Sequence, residues 1–194
     1  LNDSSVKAAV TEIAKIKIYS EPQESSKLIS KALDLRKNFP PYVELYIELL
    51  IEEKKYKIAK KFLKQVWSQL PYTNYKFIIE NLALNSKDNL LEMTKFIVGS
   101  SYQNEDSKIL LVEASIKNKE WDKARELIVS LIDVQPKKNV CLLMAKIEEG
   151  DSNDIQKANS WKMRSDSGIA NNIWICSITN KSQEEWTSIS NSGF

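Results

Sequence analysis

The chain has 194 residues, with 28 Lys and Arg against 26 Asp and Glu, two Cys, four Gly, five Pro and no His. Apolar residues make up 42% and charged residues 28%, which suits one ordinary domain or one repeat array and argues against disorder. The missing histidine excludes Ser-His-Asp and Cys-His nucleophile pairs, His-ligated zinc and a His-ligated haem iron. A net charge of +2 gives no basis for wholesale nucleic-acid binding.

Four glycines disfavour Gly-rich phosphate loops and folds built on many tight turns, and favour long helices. Cys141 and Cys176 make neither a disulfide framework nor a pair of metal motifs, and point to a reducing compartment. No run of about 18 apolar residues is present, so no membrane-spanning helix is expected. The first residue is Leu1 rather than Met, with no signal-peptide pattern, which suggests a processed or truncated chain.

In chain order, Val10, Ile13, Ala14 and Ile16 pair with Leu28, Ile29, Ala32 and Leu35 across a break at Glu21-Pro22. Pro40-Pro41 opens the next helix, where proline is tolerated; Tyr42, Leu45, Tyr46, Leu49 and Leu50 form its stripe, opposite Glu44, Glu48 and Glu52. A helix from near Lys55 carries Tyr56, Ala59, Phe62, Leu63, Val66, Trp67 and Leu70, and Pro71 stops it. Residues 72–103 keep helical stripes (Tyr75, Ile78, Ile79, Leu82, then Leu90, Leu91, Met93, Phe96, Ile97), with a turn and N-cap at Asn85-Ser86-Lys87-Asp88.

Residues 53–63 (EKKYKIAKKFL) superpose on 118–128 (NKEWDKARELI). Tyr56 matches Trp121, Ala59 matches Ala124, Leu63 matches Ile128 and Pro71 matches Pro136, all at a constant offset of 65. That is close to two periods of a roughly 34-residue helix-turn-helix repeat, the tetratricopeptide pattern. Its aromatic plugs the gap between paired helices, its alanine lets two backbones approach, and its proline ends the second helix.

A further stripe runs through Val140, Leu143, Met144 and Ile147, and a break at Asp151-Ser152-Asn153-Asp154 precedes Ile155, Ala158, Trp161 and Met163. The expected fold is all-α: a solenoid of about five tetratricopeptide-like antiparallel hairpins, some ten helices, over residues 1–165. Residues 166–194 are expected to be an irregular or extended tail. There the β-prone run 171–178 and its echo at 186–189 would pair as strands, and two tryptophans would fold back on the last helices.

The candidate chemistry is sparse. Lys57, Lys60, Lys61 and Lys64 share one helix face, either a basic ridge for an acidic partner, RNA or lipid headgroups or, more simply, a solvated face. Cys141, in an apolar run, reads as core. Cys176 reads as a half-buried strand residue rather than a haem ligand, and Met144 and Met163 as core or groove-lining. Glu52-Glu53, Glu148-Glu149 and Glu184-Glu185 are adjacent in sequence, and such neighbours on a helix do not face each other. No catalytic, metal or cofactor residue is expected. Stacked hairpins would instead present a concave face of first helices, to which Glu44, Tyr75, Glu80, Lys108 and Glu113 are assigned.

Residues 139–154 (NVCLLMAKIEEGDSND) closely resemble the most characteristic stretch of the bacterial HemY tetratricopeptide proteins. Residues 119–125, 64–71, Trp174 and Glu185-Trp186 sit where that family has similar residues. The resemblance covers about residue 20 to the end. It implies a repeat domain, here on the cytoplasmic side, behind an N-terminal inner-membrane anchor absent from this chain. It also implies an association with haem and porphyrin biosynthesis, no assigned catalytic residues, and a tail that would continue past Phe194. The expected activity is a non-enzymatic scaffold docking other proteins on the concave face, with no bound cofactor and no nucleic acid. A haem or porphyrin carrier in the same groove and a helical-repeat RNA binder are the alternatives.

Overall fold

A computed structural model of the chain describes residues 10–15, 17, 20–35, 38–132, 135–171, 174–175, 180–183 and 186. The helices are α1 (Pro22–Leu35), α2 (Pro40–Glu52), α3 (Tyr56–Gln69), α4 (Lys76–Ser86), α5 (Leu90–Val98), α6 (Glu105–Lys117), α7 (Trp121–Val129), α8 (Lys138–Asp151) and α9 (Ile155–Asp166). Residues 10–15 are helical ahead of α1. The polypeptide divides into two compact units, one within residues 1–70 and 172–194 and one comprising 71–171.

In the first unit, α2 is buried along most of its length, from Pro40 to Ile51, and packs beside α1 and α3. Its partner α3 is amphipathic: Ala59, Leu63, Val66 and Trp67 are buried, while Lys57, Lys61 and Lys64 face solvent. Tyr46 meets Phe62 edge-to-face at 4.8 Å. Ser25 donates to the carbonyl of Ala14 at 3.2 Å, which ties the first helical segment to α1.

The second unit holds three hairpins, α4/α5, α6/α7 and α8/α9. Ile109 and Val112 of α6, Ala124 and Ile128 of α7, and Val140, Leu143, Met144 and Ile147 of α8 form one core cluster. The offset of 65 is structural: Ala59 and Ala124, and Leu63 and Ile128, are all fully buried.

The hairpin turns share one device. Lys54, Lys87 and Lys119 adopt left-handed φ of 56°, 56° and 59° just past α2, α4 and α6. At each, the following N–H reaches back five residues: Lys55 to the Leu50 carbonyl at 2.8 Å, Asp88 to Ala83 at 3.1 Å and Glu120 to Ser115 at 2.9 Å. This is the Schellman closure, which usually places glycine at that position. After α8, Asn153 is likewise left-handed at φ 52°, and there the Asp154 N–H reaches back six residues to the Glu148 carbonyl at 3.0 Å. The few glycines therefore do not mean few tight turns, because lysine and asparagine make them.

Some boundaries differ from expectation. The N-cap of α5 is Asn89, whose side chain accepts the Glu92 N–H at 3.1 Å; it is not within 85–88. The tail does form an antiparallel pair, of Trp174–Ile175 with Ser182–Gln183; residues 187–189 of the expected partner strand lie outside the described residues. Asn180, at φ 53°, supplies the reversal inside the stretch read as a connector. Ile169 bridges Lys137 beside the start of α8. Trp174 and Trp186 lie 6.3 and 5.5 Å from Phe39, edge-to-face. Ile16, Cys176 and Glu184-Glu185 lie outside the described residues.

Candidate functional site

The first helices of neighbouring hairpins in the second unit, α4 with the 3-10 turn before it and α6, are joined by three polar pairs. Thr73 donates to Asp106, Lys76 pairs with Glu113 at 2.9 Å, and Glu80 pairs with Lys117. α6 is central to its unit and buried on most sides, and Asp106, Glu113 and Lys117 form the polar strip it presents to α4. The Glu113 side chain is 15% exposed; its Oε1 holds Lys76, and its buried Oε2 accepts no hydrogen bond among the described residues.

Beside these pairs, α4 turns Phe77, Asn81 and Leu84 outward. Phe77 is 58% and Leu84 79% exposed. Spaced seven residues apart, they share one helix face, and the Lys76 ammonium lies 5.0 Å from the centroid of the Phe77 ring. The result is an apolar strip edged by alternating charge, a surface chemistry suited to gripping an amphipathic helix or extended peptide.

The sequence-assigned residues separate. Glu80 and Glu113 fall in the polar pairs. Lys108 donates to Ser130 at 3.0 Å, linking α6 to the end of α7. Glu44 is half-buried on α2, in the other unit. Tyr75 is corrected: it lies in a short 3-10 turn before α4, is fully buried and meets Tyr72 edge-to-face at 5.2 Å. Its ring fills the core at the entry to the hairpin, so it is not a surface contact. Met163, expected as core or groove, is 74% exposed. Lys57, Lys61 and Lys64 are exposed and Lys60 is half-buried. Phe77 and Leu84 were legible only as apolar residues out of phase with the stripe of Ile78, Ile79 and Leu82.

The stretch 148–154 is occupied by packing. Arg125 of α7 forks onto Glu148 of α8 at 2.8 and 3.3 Å and reaches Asp151 at 2.9 Å; these carboxylates push the guanidinium pKa up. Gly150 lies against Trp121. Asp154 caps α9 by accepting the Lys157 N–H at 3.0 Å, and that hydrogen bond holds its carboxyl below the usual range. Cys141 is buried, and burial pushes its thiol up, away from the thiolate a reactive cysteine needs. Among the described residues no group of three His, Cys, Asp or Glu side chains could hold a metal ion. No helix among them is long and apolar enough to cross a membrane.

Paired helices closed by left-handed turns 32 to 34 residues apart make this an α-helical repeat protein of tetratricopeptide-like type. No family model matches the chain. The probable magnetosome protein Mms48 of Magnetospirillum gryphiswaldense is 22% identical over 171 residues, which are 86% of this chain and 37% of that protein. The chain thus spans little more than a third of that relative. Among solved structures, the MamA RS-1 ArsTM double mutant is 15% identical with a TM-score of 0.43, over 84% of this chain and 93% of that one. Neither name carries a haem association.

Proposed function

We propose that the chain is a non-enzymatic protein-interaction scaffold whose docking surface is the outward face of α4 with the polar pairs beside it. The observation that carries this reading is the exposure of Phe77 and Leu84 on one face of a first helix, against the charged strip of Lys76, Glu80, Glu113 and Lys117. The occupant is an apolar-faced helix or strand of another protein, with charges at its margins to meet that strip.

The haem-pathway setting, with the domain on the cytoplasmic face of an inner membrane, rests on the resemblance at 139–154. The packing of Arg125, Trp121 and α9 against Glu148, Gly150, Asp151 and Asp154 gives those residues a structural reason to be there. A magnetosome setting, suggested by the name of the relative, fits the same scaffold. Affinity capture from the native membrane fraction with wild type and with Phe77→Ala/Leu84→Ala tests the reading. A partner held stoichiometrically by wild type and lost in the double variant supports it. A partner held equally by both places the docking surface elsewhere. Haem-pathway enzymes or organelle proteins among the bound set decide the setting.

A further inference from the structure

The superposed second helices, α3 and α7, are alike inside and carry opposite charge at two exposed positions outside. Their inward residues match in kind, Ala59 with Ala124 and Leu63 with Ile128, all fully buried. At two exposed positions of the same offset the sign reverses: Lys57 stands where α7 has Asp122, and Lys61 where α7 has Glu126; Lys60 and Arg125 keep their sign, and Lys123 replaces Ile58. The side chains of Lys57, Lys61, Asp122 and Glu126 are all exposed, and none makes an ion pair with another described residue. α3 carries four lysines and no carboxylate from Tyr56 to Gln69. Each face also bears one exposed aliphatic three residues from a charge: Ile58 beside Lys61, and Val129 beside Glu126, 50% and 61% exposed.

We infer that the basic face of α3 docks on the acidic face of α7 of a second copy of this chain. Lys57 and Lys61 are one helical turn apart, as are Asp122 and Glu126, so two ion pairs form together when the helices lie alongside each other. Ile58 and Val129 supply the apolar contact that exposed ion pairs need in order to hold. The opposite sign and matched spacing of the two pairs favour a second copy of this chain as the occupant of the basic face. The two faces differ, so the contact is heterologous. Once one such contact has formed, one copy still has its acidic face free and the other its basic face, and these can make the second contact. Being carried by exposed charges, the association weakens with salt. It involves neither Phe77 nor Leu84 and stands apart from the proposed docking surface on α4.

Sedimentation velocity of the whole chain over a concentration series, at about 20 mM and about 500 mM salt, tests this with two charge-swap variants. Lys57→Glu/Lys61→Glu makes both faces acidic, and Asp122→Lys/Glu126→Lys makes both basic; all four positions are exposed, so the core is untouched. Wild type is expected to self-associate at low salt and dissociate at high salt. Each variant alone is expected to stay monomeric, an equimolar mixture to associate again, and the chain carrying all four swaps to self-associate like wild type. A wild type that stays monomeric at low salt overturns the inference. So does self-association undiminished by either swap, or a mixture that fails to associate. Binding of wild-type monomer to phosphatidylglycerol vesicles, abolished by Lys57→Glu/Lys61→Glu, would assign the basic face to lipid instead.

Discussion

The indole of Trp121 fills the space that a side chain at Gly150 would need. A Cβ placed on Gly150 would stand 2.2 Å from Cη2 of the ring and within 2.8 Å of two further ring atoms. Alanine in place of a helical glycine ordinarily stabilises by about 0.5–1 kcal/mol. Here the sign reverses. Gly150→Ala should destabilise by about 1–3 kcal/mol through overpacking, read as a lower urea midpoint at unchanged slope. In a Trp121→Ala background the same substitution should become neutral or stabilising, because the obstructing ring is gone.

Lys54, Lys87 and Lys119 hold the left-handed conformation that a Cβ disfavours by about 1–2 kcal/mol. Lys→Gly at any one of them should raise stability by up to about 1 kcal/mol, part of the relief being lost to glycine's greater freedom in the unfolded chain. Changes at separate turns should add. Thermal melts of the three single variants and the triple variant check this.

Arg125 compensates a buried carboxylate. The Glu148 side chain is 6% exposed and the guanidinium 33%. Arg125→Met should destabilise by about 2–3 kcal/mol, the lower part of the range for breaking a buried pair because the guanidinium is partly hydrated. Adding Glu148→Gln should recover much of that loss, since no charge is then left unpaired. A double-mutant cycle by urea denaturation gives the coupling.

Much of the fold was legible because burial follows the helical period: Leu45, Leu49, Leu63, Ile79, Leu91, Ile128 and Ile147 are all core. The constant offset between 53–63 and 118–128 gave the hairpin its register, because a repeat must fill the same internal space each time. The turns were hidden for the opposite reason, since lysine is not a residue whose chemistry announces a positive φ. Tyr75 read as surface because its hydroxyl makes the side chain amphipathic, and only the 3-10 turn before α4 directs the ring inward. The candidate site was half legible. Glu80 and Glu113 were assigned to it, but which charge each meets depends on pairing across 37 residues, which no local pattern encodes.

Glu48 makes stability depend on pH. Its half-buried place on α2 pushes the carboxyl pKa up, chiefly by desolvation; Lys15 opposes the shift and Glu52 adds to it. A carboxyl that holds its proton more tightly when folded contributes fully at pH below its ordinary value and loses that contribution as pH rises through the elevated one. Glu48→Gln should therefore melt higher than wild type at pH 7 and nearly with it at pH 4. Asp154 acts in the opposite sense: its lowered pKa stabilises above the ordinary carboxylate value and is lost on acidification. Asp154→Ala should lower the melting temperature at pH 7 and converge on wild type towards pH 3.

The scaffold account is tested most directly by a photo-crosslinking side chain at position 81, between Phe77 and Leu84 on the exposed face of α4, compared with the same group at position 65 on the exposed face of α3. Irradiation in the native membrane fraction should give a discrete heterologous adduct from position 81, and Phe77→Ala/Leu84→Ala should remove it. A partner adduct from position 65 with none from position 81, or one at 81 indifferent to the double substitution, would contradict a docking surface on α4.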